Sequence, residues 1–150
     1  MYRLTILYAP GDEEHRAPAE ELAARFSQPD LETVVKAARD AQIPDVTASD
    51  LVVFGSAVAA DGGLHPDFAE MIRAFEGINL AGRLSAFLAY QESGGKDGAP
   101  ALFRRALGET EIAVFPEVLN LPDSSSDAPS AGMASWADRL YTTFKDGLHE

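Results

Sequence analysis

Leu51-Val52-Val53-Phe54 is an unbroken apolar run, opened by Asp50 and closed by the small pair Gly55-Ser56. Successive side chains of a strand point to opposite faces, so a strand with one wet face alternates apolar and polar residues. A run with no polar member must be covered on both faces. Helices packed on both sides of a parallel sheet are the usual cover. This one segment therefore points to a layered α/β chain with a central, doubly covered strand.

The other segments fit that layout. Leu4-Thr5-Ile6-Leu7-Tyr8 reads as a first strand and Ala19 to Phe26 as a helix. Leu31-Glu32-Thr33-Val34-Val35-Lys36-Ala37 reads as a second strand with the alternation of an edge. From Asp67 to Phe75, apolar Phe68, Met71, Ile72 and Phe75 recur at helical spacing. Pro66 suits a first turn, and Gly77 and Asn79 stop the helix. Leu84 to Tyr90 is a fourth strand. Gly94, Gly95 and Gly98 separate it from a helix over Ala99 to Leu107, and Glu111 to Phe115 is a fifth strand. Pro122 to Ser130 has loop composition. Trp136, Leu140, Phe144 and Leu148 form the apolar stripe of a closing helix. The crossover from Ala38 to Ser49 contains Pro44 and is too short and irregular to predict a helix. Five strands and four helices in alternation predict a doubly wound parallel sheet. With no repeat and no linker, 1–150 reads as a single domain.

Composition narrows the function. The chain of 150 residues carries 24 acidic against 12 basic side chains, a net charge of −12. That balance opposes nucleic acid and anionic membranes. It suits steering toward basic partners, or serves solubility alone. There is no cysteine, which excludes disulfides, thiolate catalysis and cysteine-ligated metals. No secretory leader pattern opens the sequence and its apolar runs are far too short to span a bilayer, so the cytoplasm is the default expectation. Ser56 and Ser93 lack a nucleophile-elbow context, there is no Gly-x-Gly-x-x-Gly fingerprint, and no catalytic residue is assigned.

The first strand runs into Ala9-Pro10-Gly11-Asp12-Glu13-Glu14-His15, and a helix follows. A strand–loop–helix unit is where α/β proteins commonly hold a phosphate. Here the loop has the position for an anion and the charge to repel one. A weaker alternative is an oxygen-rich cation site built from Asp12, Glu13, Glu14 and His15 with Asp61, His65 and Asp67; its spacing is generic and no metal is assigned. A phospho-receiver is disfavoured, because the third strand ends in Gly55-Ser56 rather than an acid and no Lys follows the fifth.

Val46 to Val58, with Asp50 before the apolar strand and Gly55-Ser56 after it, resembles the third-strand segment of the flavodoxins. Phe75-Glu76-Gly77-Ile78-Asn79-Leu80-Ala81-Gly82-Arg83-Leu84-Ser85-Ala86-Phe87 is similar to the Leu-x-Gly-Lys-like approach to their fourth strand. The first strand ending in Tyr8, the Ala19-Glu20 helix and the closing helix are similar in place. The resemblance covers nearly the whole chain. It implies a five-stranded sheet of order 2-1-3-4-5 between two helix layers, FMN as cofactor, electron transfer as activity and basic redox proteins as partners. Carried over by position, it places the phosphate loop on Pro10, Gly11, Asp12, Glu13, Glu14 and His15, the second flavin loop on Ser56, Ala57 and Val58, and the third on Tyr90, Gly94 and Gly95. None of the first-loop residues is Ser or Thr, and Pro10 has no N–H to give. His15 and Arg16 are the groups that would offset the acids. The residues thus leave a second reading beside the electron carrier: a cofactor-free module of the same fold, acting through protein contacts or a small ligand or metal at the crevice.

Overall fold

A computed structural model describes residues 2–9, 11–26, 28–56, 65–75, 77–90, 103, 105, 107–116, 118–121 and 129–147. The predicted strands assemble into one parallel sheet. β1 (Tyr2–Ala9) is central and pairs on one side with β2 (Leu31–Ala37) and on the other with β3 (Leu51–Ser56). β3 pairs with β4 (Leu84–Tyr90). The order is β2-β1-β3-β4-β5, with every pairing parallel. All six residues of β3 are buried, as its unbroken apolar run requires.

The two faces carry separate cores. On one face, Leu4, Ile6 and Tyr8 of β1 with Val53 and Leu88 meet α1 (Glu13–Ala24) and the closing helix α4 (Pro129–Gly147) through Leu22, Trp136, Leu140 and Phe144. On the other, Leu7, Val52, Phe54 and Phe87 meet α2 (Ile43–Thr47), α3 (Pro66–Ala74) and the helical residues Phe103 and Leu107. Phe54, Phe68, Phe87 and Phe103 pack ring on ring there, with centroids 4.8 to 6.2 Å apart.

The fifth strand departs from expectation. A 3₁₀ turn occupies Gly108–Thr110, Glu111 takes a left-handed φ of 64°, and only Ala113–Val114 form β5. A further strand, β6 (Leu119–Leu121), pairs with the far half of β4. Ser85 is opposite Val114 and Leu88 is opposite Leu119, so a step of three residues along β4 meets a step of five along its neighbour. The excess is even, and side chains alternate with period two, so Phe115 and Leu119 still reach the same core. Pro116 has no N–H for the ladder, which suits an edge bulge and ends the first pairing.

Helix limits also move. α1 starts at Glu13, because Asp12 caps it, rather than at Ala19. The crossover without a predicted helix contains a 3₁₀ turn at Ala38–Asp40 and the short α2, opened by a Gln42/Asp45 capping box. Pro129 and Ser130, read as loop, belong to α4. Residues 99–102, 122–128 and Leu148 lie outside the described residues.

Candidate functional site: the β1/β3 crevice

Ala9 and Ser56 are the last residues of neighbouring parallel strands and lie side by side in register. From β1 the chain crosses to β2 by α1 on one face; from β3 it crosses to β4 by α3 on the other. The connections diverge at this point, beyond the carboxyl ends of β1 and β3. Such a switch point is where open α/β sheets bind ligands. The sheet thus brings together the first loop and Ser56, as the sequence predicts.

The first loop is organised around its own carboxylate. Asp12 is the N-cap of α1, and its Oδ1 accepts from the backbone N–H of His15 at 3.0 Å and from His15 Nδ1 at 2.7 Å. The hydrogen bond from the His15 side chain is the chief reason that the Asp12 carboxyl lies below the usual carboxylate range. His15 is buried. Arg16 turns along the helix, its Nε 2.9 Å from Glu20 and its Nη1 3.5 Å from Glu13. From the end of β2, Arg39 donates to the carbonyl of Gly11 at 3.0 Å. It also lies over the Gly11 Cα: a Cβ there would come within 2.9 Å of Arg39 Nε. Beneath the loop, burial pushes the Tyr8 phenol up.

The expected offset by His15 and Arg16 is therefore replaced by internal pairing: each meets a carboxylate of its own helix start. The residue that sequence reasoning missed is Arg39, whose signal was its place directly after β2. The loop does not fit the phosphate of FMN. One helix-start N–H already bonds Asp12, and Glu13 and Glu14 stand exposed beside it. At about 4 Å, each carboxylate opposes a phosphate charge by roughly 1–4 kcal/mol in water-like to protein-surface dielectrics, against about 0.3–1 kcal/mol of attraction from the helix end.

The second loop starts at Ser56, which is buried at the strand end; Ala57 and Val58 lie outside the described residues. At its far side, His65 Nδ1 accepts from the N–H of Asp67 at 3.2 Å and caps α3. Both helices that begin beside the crevice are thus capped by their own side chains. The backbone of Tyr90 closes β4. Pro10, Gly94 and Gly95 lie outside the described residues, as does Asp61 of the cation alternative. Among the described residues no three His, Asp or Glu side chains converge as metal ligands. A groove of about 310 Å³ runs beside the first loop, between the Ala38–Ile43 segment and α3, lined by Arg39, Gln42, Ile43, Asp67, Glu70 and Met71.

A parallel, doubly wound sheet with its switch point between β1 and β3 defines a class of α/β domains that bind ligands there. Within that class the fold is flavodoxin-like. Oxidised flavodoxin 2 from Bacillus cereus superposes with a TM-score of 0.81 at 19% identity, covering 94% of this chain and 99% of that one. A short-chain flavodoxin associated with a non-canonical PDU bacterial microcompartment gives 0.76 at 12% identity, over 96% and 99%. Fusobacterium nucleatum flavodoxin bound to flavin mononucleotide gives 0.72 at 12%, also over 96% and 99%. No protein-family model matches the sequence, and no curated protein matches it significantly. Among the described residues no helix is long and apolar enough to cross a membrane.

Proposed function

We propose that this chain is a flavodoxin-type protein that works from the β1/β3 crevice in flavin-dependent electron transfer. The observation that carries this reading is the agreement of fold over almost the full length of both chains. In such carriers the flavin supplies the redox chemistry and the protein binds and tunes it. The chain's net charge of −12 supports basic redox proteins as partners, steered by electrostatics.

A second reading rests on the first loop. Its self-contained cap favours a cofactor-free module of the same fold that acts through protein contacts or a small ligand at the crevice. Titration of the purified apo protein with flavin, followed by quenching of flavin fluorescence, separates the two. Saturable binding at micromolar flavin is expected for the carrier. No quenching at high micromolar flavin overturns it and leaves the cofactor-free module.

A further inference from the structure

We propose that Asp12 is a built-in substitute for a ligand phosphate, so that a flavin bound at the crevice gains nothing from a terminal phosphate. The inference rests on the flavin reading and adds a selectivity to it. Four observations carry it. The Asp12 carboxylate sits on the N–H of His15, a donor that an anion at this helix start would use. The same oxygen bonds His15 Nδ1 at 2.7 Å, so the nearest imidazole is engaged as well. The cations beside the loop are already engaged by the protein: Arg16 meets Glu13 and Glu20, and the exposed Arg39 donates to the carbonyl of Gly11. Finally, Arg39 covers the Cα side of Gly11, so that even a Cβ there would meet its guanidinium. The α1 start thus already holds an anion of its own, and a phosphate would have to displace a carboxylate that is held at two points.

The test compares riboflavin with FMN, and wild type with Asp12→Ser. Serine keeps a capping oxygen, so the helix start survives, but removes the charge and supplies a hydroxyl. Fluorescence titrations are expected to give wild-type affinities for riboflavin and FMN within about threefold of each other. In Asp12→Ser the ratio is expected to move at least tenfold toward FMN. A wild type that prefers FMN tenfold or more overturns the inference. Inorganic phosphate is the second probe, read as a shift in melting temperature against chloride at matched ionic strength. Phosphate is expected to leave the wild type unmoved and to raise Asp12→Ser by about 2 °C or more. If neither chain binds either flavin, the electron-carrier reading fails while the phosphate arm still decides the role of Asp12. A phosphate shift in the variant alone upholds it, and equal responses in both chains overturn it.

Discussion

Asp12 joins two roles that a short polar side chain can hold at a helix start, satisfying an orphan N–H and setting the local charge. As a cap it contributes on its own account. Asp12→Ala is expected to lower the stability of the chain by about 1 kcal/mol, and Asp12→Asn by less, because asparagine caps nearly as well. The shift of the urea midpoint at constant m-value measures this. The pH dependence has a definite sign. The folded carboxyl titrates below its unfolded value, so its contribution is present above the ordinary carboxylate range and is lost as pH falls through the folded value. Asp12→Asn is expected to remove that acid limb. Gly11 shows the same coupling of backbone and charge: a Cβ there would push Arg39 from the carbonyl that it holds.

At the scale of elements, α4 is fastened at two places. Along its length Trp136 is buried, with its ring 5.9 Å from Phe115. Truncation to Ala removes a large buried side chain, and a loss of about 3–5 kcal/mol is expected in denaturant unfolding. Near its C-terminus, Tyr141 Oη donates to Asp30 Oδ1 at 2.5 Å and Lys145 Nζ to Oδ2 at 3.0 Å, while Lys145 lies 4.6 Å from the centroid of the Tyr2 ring. The Tyr141 hydrogen bond, with that of Lys145, holds Asp30 below the usual carboxylate range, and Asp30 in turn raises both Tyr141 and Lys145. The depressed acid contributes above its ordinary range and fails as pH falls through its folded value. The raised phenol and ammonium contribute below their ordinary values and fail as pH rises through their folded ones. Melting temperature against pH is therefore expected to be broader at both ends in wild type than in Asp30→Ala, with the two curves converging at the extremes. The helix itself was legible from Trp136, Leu140 and Phe144 at four-residue spacing. The Asp30 contact, spanning 111 residues to Tyr141, has no signal in the sequence, since three ordinary surface side chains become partners only when β2 and α4 are packed together. β5 and β6 were misread for the opposite reason. The apolar content of 111–115 is strand-like, but edge pairing depends on which N–H groups face β4, and Pro116 interrupts them.

Over the whole molecule, the net charge of −12 acts against compactness, because like charges are closer in the folded chain than in the unfolded one. Raising salt shortens the screening length from ~30 Å at about 0.01 M to ~3 Å at about 1 M. The melting temperature is accordingly expected to rise between about 0.01 and 0.5 M sodium chloride. A flat or falling curve would mean that the internal pairs, such as Lys36 with Asp45 and Arg16 with Glu20, outweigh the net repulsion. The alternation of segments and the buried central strand were legible in local composition, whereas the sheet order came from the resemblance to the flavodoxins. A doubly apolar strand has one kind of environment, and right-handed crossovers leave few orders for five parallel strands. The position of the crevice followed from that order. The state of the crevice did not. Three consecutive acids after β1 showed that the loop was negative; they could not show that Asp12 turns back onto His15, or that Arg39, 28 residues from Gly11, closes over the glycine. Patterns of apolar and polar residues report which face of an element is covered, and that information is local. The partner of a charged side chain is set by distances across the sheet, and those exist only once the chain has folded.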